Sequence, residues 1–158
     1  MAIPYPEEYP QLTFSIDGVS VILTNNEIIT YNRNRQTFLE VSRSHNGSII
    51  VAGNNYTPPE EWNLTLSMND DLFDLLSSIF SISTHKSNTP PRTGFEITID
   101  DICKPMIEYS PSLTQIGDWT ETVGGSKKYF AQFKSIFTNF TSVPNGTGYS
   151  VELTAIQV

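Results

Sequence analysis

Glu61-Trp62-Asn63-Leu64-Thr65-Leu66-Ser67-Met68 alternates strictly between polar and apolar side chains. That period puts Trp62, Leu64, Leu66 and Met68 on one face of a β-strand. The period then changes. Over residues 69–80, Leu72, Leu75, Leu76, Ile79 and Phe80 recur at helical spacing. Asn69 suits the N-cap, and Asp70 and Asp71 suit the positive end of the helix dipole. Met68 and Phe73 stand where a hydrophobic staple would form. The pattern predicts this one amphipathic helix, lying with its apolar face on a sheet.

Everything else reads as strand, turn and loop. Leu12, Phe14 and Ile16 alternate, Asp17-Gly18 supplies a two-residue turn, and Val19, Val21 and Leu23 alternate beyond it. Asp-Gly accepts the positive φ of a type I′ turn, so this is a hairpin. Residues 27–31 read as a short strand, 32–35 as a polar turn and 36–42 as a further strand. Asn46-Gly47 turns the chain into the apolar run 48–52. Residues 53–59, 83–93 and 111–126 read as loops, the last around Trp119. Phe95, Ile97 and Ile99 form a strand that Asp100-Asp101 ends, and 106–109 a short strand. Residues 128–138 form a long strand with Tyr129, Ala131, Phe133 and Phe137 on one face and Phe130 and Ile136 on the other. Asn145-Gly146 then turns into a last strand alternating at Tyr149, Val151, Leu153 and Ala155, so 130–138 and 149–157 pair antiparallel. Pro4, Pro6 and Pro10 make 1–10 an extended arm carrying Tyr5 and Tyr9. The expected fold is mainly β with one principal α-helix: an antiparallel β-sandwich or split barrel with a flanking helix. The arm 1–10 precedes a single domain, 11–158.

Composition narrows the function. A chain of 158 residues suffices for one core. Aromatic residues at 11% and a charged content of only 16% exclude a disordered polyelectrolyte. The net charge of −8 leaves too few cations to neutralise phosphates, so general nucleic-acid binding is not expected. The charge serves solubility, or it keeps a surface near nucleic acid from adhering. Cys103 is the single cysteine, which allows no intrachain disulfide, and it reads as buried filler. The first ten residues show neither a basic nor an apolar signal-peptide region, and no stretch suits a membrane span.

Candidate chemistry is sparse. His45 and His85 read as solvated loop residues, outside any His/Cys cluster of metal-ligand spacing. Gly124-Gly125-Ser126-Lys127 lacks the spacing of a phosphate loop and reads as a turn entering the next strand. Asp70-Asp71 is accounted for by the helix dipole. Asp100-Asp101 has too few oxygen ligands nearby for Ca²⁺. No catalytic, cofactor or metal residues are expected. Arg33, Arg35 and Arg43 concentrate cations in one short region, where they either face the acidic surface of a neighbouring copy or are solvated. Tyr56, Trp62 and Trp119 are the candidate aromatics for stacking. Trp62 reads as core, whereas Trp119 is expected to be exposed, on a sugar or on another subunit.

The layout resembles the tail-tube fold of bacteriophages and related injection machines. The resemblance is carried by the 62–68 strand running into the 69–80 helix, the Asp17-Gly18 hairpin, the proline-bearing arm 1–10 and the long loop 43–60. It covers most of the chain as topology, and tube, distal-tail and baseplate-hub proteins share it. It implies a structural, non-enzymatic subunit of a virion tail, assembled in the host cytoplasm. Copies would form a ring, expected to be hexameric, that contacts other tail or baseplate proteins while DNA passes without adhering. Tyr5, Tyr9, Arg33, Arg35, Arg43, Tyr56 and Trp119 are then the candidate inter-subunit contacts. A second reading is a virion surface protein, such as a capsid cement protein or a carbohydrate-binding module.

Overall fold

The Asp17-Gly18 turn takes φ values of 50° and 80°, and the strands on either side pair antiparallel as expected. These are β1 (Leu12–Ile16) and β2 (Val19–Leu23). The computed structural model describes residues 11–35, 40–52 and 59–158. The remaining strands are β3 (Ile28–Arg35), β4 (Glu40–Arg43), β5 (Ile49–Ala52), β6 (Glu60–Asn69), β7 (Ile97–Glu108), β8 (Thr114–Val123), β9 (Ser126–Asn145) and β10 (Gly148–Gln157). The helix α1 (Asp70–Asn88) follows β6 directly.

The main sheet runs β2-β1-β7-β9-β10-β6-β3, antiparallel throughout, with β8 on β9. It curls into a half-barrel flanked by α1, so the fold is mainly β with one principal helix. β9 is long enough to serve two partners along one edge. Its first half takes β8, and its second half takes β10 from Ser135↔Gln157 to Asn145↔Gly148, with one register shift between Thr154 and Ala155. β4 and β5 form a separate two-stranded sheet turned at Gly47 (φ 84°).

The alternation of β6 holds. Trp62, Leu64, Leu66 and Met68 are all buried, facing Phe14, Leu23, Ile99, Phe133 and Leu153 in one core. Trp62 meets Phe133 edge-on with ring centroids 4.9 Å apart. Asn69 caps α1, its Oδ1 accepting from the Leu72 N–H at 2.9 Å. The helix buries Leu76, Ile79 and Ser83. Leu75, expected on that face, is 40% exposed.

Four elements differ from the sequence reading. The helix does not stop at residue 80 but runs to Asn88, carrying His85 and Lys86 in its last turn. Tertiary contacts override the weak helix propensity of this polar stretch. Ser83 Oγ donates to the Phe95 carbonyl at 2.6 Å, Ile82 packs on the core, and Lys86 pairs with Asp17 of the first hairpin. Residues 32–35 are not a turn but the end of β3, paired with β6. Asp101 does not end its strand. β7 continues through an irregular stretch between Asp101 and Met106, where Pro105 needs no ladder donor. The expected loop 111–126 contains β8, whose register also shifts between Gln115 and Thr120. Gly124-Gly125 is the turn into β9, as expected, with φ values of 57° and 85°.

Candidate functional site

Two regions stand out: a polar cluster buried where β3, β6 and β7 meet, and the separate two-stranded β4–β5 hairpin. β3 and β7 are not hydrogen-bonded neighbours, since β9, β10 and β6 lie between them in the sheet. Side chains bridge the mouth of the half-barrel instead. Asp101 follows Ile97 and Ile99 on the inward face of β7 and has no exposed surface. Asp101 Oδ2 accepts from Tyr31 Oη at 2.5 Å, Arg33 Nη1 at 2.8 Å and Trp62 Nε1 at 3.0 Å. Oδ1 accepts from the Cys103 N–H at 2.7 Å.

Arg33 is 2% exposed. Its fork also donates to the Lys104 and Pro105 carbonyls at 2.7 and 3.1 Å, and its guanidinium carbon lies 5.3 Å from the Phe133 ring centroid. Glu60 Oε2 is 3.9 Å from Arg33 Nε, and Glu60 Oε1 is 3.6 Å from Arg35 Nη2. Lys104 returns the contact, donating from Nζ to the Arg33 carbonyl at 2.9 Å. Burial opposes the charge on Arg33, but Asp101, Tyr31 and Glu60 outweigh it and raise its pKa. Burial, then the Asp101 charge, raises the Tyr31 phenol and pushes the Cys103 thiol up to about 12. Both groups therefore stay protonated at neutral pH.

Arg33 was expected on a surface, facing a neighbouring copy or solvent. It faces the interior of its own chain, because one inward position on β3 lies opposite the carboxylate that β7 turns in. Arg35, at the end of β3, stays partly exposed beside Glu60. Arg43 is exposed at the β4–β5 turn and donates to the Gly47 carbonyl at 3.1 Å. The three arginines therefore do not form one patch. Tyr5, Tyr9 and Tyr56 lie outside the described residues.

Trp119 was expected to be exposed. It is 8% exposed, on β8, with its ring centroid 5.1 Å from that of Phe130 and the Lys128 ammonium 5.6 Å from it. It covers the face of β9 turned away from the main core. With Trp62 fully buried as well, these two indoles cannot make a sugar-stacking platform. Among the described residues, no three His, Cys, Asp or Glu side chains gather where a metal ion could sit, and no helix is long and apolar enough to cross a membrane.

The exposed features lie at the edges. Among the described residues, β2 pairs only with β1 and β3 only with β6, so each presents an unpaired edge. Ile22 on β2 and Ile29 on β3 are exposed there. The β4–β5 hairpin pairs with neither edge and shows Ile49 at 60% exposure. The sequence reading missed Asp101, Glu60, Tyr31 and Lys104 as a set. Alternation along β3 could have turned Tyr31 and Arg33 inward together, and the alternation of Ile97 and Ile99 could have carried Asp101 inward, but neither pattern paired the two strands.

No family model matches the sequence, and no curated protein matches it. Among solved structures, the chain is similar to one from the tail of an empty GTA particle, computed with helical refinement and C6 symmetry. That match has 14% identity, covers 94% of this chain and 90% of that one, and has a TM-score of 0.49. At that level the likeness carries no argument about function.

Proposed function

We propose that this chain is a structural subunit of a bacteriophage-type tail or baseplate. Copies assemble into a ring, six-membered as the fold resemblance implies, around a channel that DNA traverses. The observation that carries this reading is the β4–β5 hairpin. It comprises two four-residue strands that join no other strand among the described residues, with Ile49 exposed. A two-stranded hairpin is marginally stable alone in water and needs a surface to lie on. Unpaired edges at β2 and β3 also call for partners, because a free edge invites pairing. A closed ring of identical copies supplies both needs with one repeated contact. The arm 1–10 and Tyr56 are assigned to the same contacts, together with Arg35 and Arg43. The net charge of −8 suits passage of DNA without adhesion.

The test is negative-stain imaging and mass photometry of the purified protein, alone and with candidate tail partners. Rings with a central hole are expected, and the Ile49→Asp variant should lose them while keeping its circular dichroism. A particle that stays monomeric at high concentration and with partners present overturns the proposal. So does an Ile49→Asp variant that assembles like the parent.

A further inference from the structure

We propose that the open edge of β9 is the docking strip for the arm 1–10 of a second copy, which adds to it as an extended strand. β7 and β10 lie on opposite sides of β9, since Ser135 is the register partner of both Ile97 and Gln157. β7 begins at Ile97, so beyond Ser135 the β7 side of β9 is bare among the described residues. That edge runs from residue 136 to Asn145, longer than the 5 residues of β2 or the 8 of β3. A free edge of such length invites a strand. Its inner face is aromatic. Phe137 and Phe140 are half-buried there, and Phe80 of α1 stacks on Phe140 with ring centroids 4.6 Å apart and stands 5.7 Å from Phe137. Further along, Ser142, Val143 and Pro144 are exposed.

The arm has the sequence of a one-edged strand. In an extended chain, alternate residues turn their N–H groups to opposite edges. Pro4, Pro6 and Pro10 all fall on even positions, so their missing donors blank one edge. Ile3, Tyr5, Glu7 and Tyr9 keep their donors on the other. A sheet tolerates proline in this way, with the blank side turned to solvent. The same alternation puts Ile3, Tyr5 and Tyr9 on one face, matched to the aromatic face of β9. Reach assigns the arm to a second copy. The Gln11 carbonyl accepts from the Ile102 N–H at 3.0 Å, and Leu12 stands level with Asp101 of β7 and Ala131 of β9. β1 runs from there towards the open edge, so the arm leaves in the opposite direction. Phe140 is nine residues along β9 from Ala131, about 30 Å away. Tyr5 is six residues before Gln11 and reaches at most about 21 Å.

Strand addition between copies rests on the tail-subunit reading, and the test separates the two. One chain carries Tyr5→Cys. A second carries Ser142→Cys, on the same face of β9 as Phe140. They are mixed at the concentration used for imaging, treated with a short bismaleimide and read by mass spectrometry of the linked peptides. Cys103 is half-buried with its thiol pushed up to about 12, and the parent chain sets the background. Linkage between residues 5 and 142 of different chains is expected at least tenfold above linkage to a Thr122→Cys control on β8. Glu7→Pro removes a donor from the docking edge and should cut that linkage at least tenfold. Glu8→Pro falls on the blank edge and should leave it unchanged. Linkage no higher than the control overturns the proposal, as do equal effects of the two prolines. So does a Tyr5→Cys that couples instead to Ile107→Cys of its own chain, on the part of β7 beyond its ladder to β1. Rings without the linkage remove the arm contact and leave the ring, whereas linkage in chains that form no rings does the reverse.

Discussion

At the residue scale, Asp101 shows how a buried carboxylate is tolerated. It lies in the core, and its oxygens accept from three side chains and the Cys103 N–H. Around it, burial and its charge raise the pKa values of Tyr31 and Cys103. The Tyr129 phenol, which donates to Glu108, is raised by burial and by that bond. The sign of the pH dependence follows. Above about pH 9 an unfolded chain ionises Cys103, whose ordinary value is 9.0, and then Tyr31 and Tyr129, whose ordinary value is 10.0, while the folded chain still holds those protons. The unfolded state then binds fewer protons, so stability is full below pH 9 and falls as pH rises towards the folded values. The melting temperature should be level up to about pH 8.5 and decline through pH 10–11. Cys103→Ser should flatten the earliest part of the decline. A melting temperature unchanged to pH 10.5 would contradict the raised values.

At the element scale, the tightest joint is where β6 becomes α1. Asn69 caps the helix and is also the register partner of Gly148, the first residue of β10. A Cβ on Gly148 would come within 2.1 Å of the Met68 carbonyl oxygen, which is backbone and cannot rotate away. The glycine is required by close approach of two chains and not by a left-handed φ. Gly148→Ala should therefore destabilise the fold by about 1–3 kcal/mol, the usual cost of overpacking. Chemical denaturation would measure it. An unchanged midpoint would mean that β10 can back away from β6 freely. The same joint explains why the helix direction is set at its start, by a cap held against the sheet, and continues through a polar second half that only tertiary contacts support.

At the scale of the whole molecule, side chains bridge a curled sheet between β3 and β7, and among the described residues β2 and β3 each keep one unpaired edge. Its charge is uneven. Asp70, Asp71 and Asp74 are exposed on α1, while Arg35 ends β3 and Arg43 lies within the β4–β5 hairpin. If these cations meet the acidic face of a second copy, ring formation should depend on ionic strength. The screening length falls from roughly 8 Å at physiological salt to roughly 3 Å at 1 M. The ring fraction in mass photometry should drop several-fold between about 0.05 and 1 M salt. Rings indifferent to salt would shift the interface from charge to Ile49 and the strand edges.

The sequence by itself determined the pieces whose physics is local. The Asp17-Gly18 and Asn46-Gly47 turns follow from residues that accept a positive φ. The buried face of β6 follows from strict alternation, and the start of α1 from a capping side chain and two acids. The 130–138 and 149–157 pairing was legible for the same reason. What only the tertiary structure decided depends on partners far apart along the chain. β8 is too polar to announce itself and exists because β9 offers it a ladder. Trp119 is buried because Phe130 needs a cover. Arg33, charged like a surface residue, is buried because Asp101, 68 positions away, sits on the inward face of β7 opposite it. A side chain's period reveals which face it takes, but the charge waiting opposite it is set by how the sheet curls.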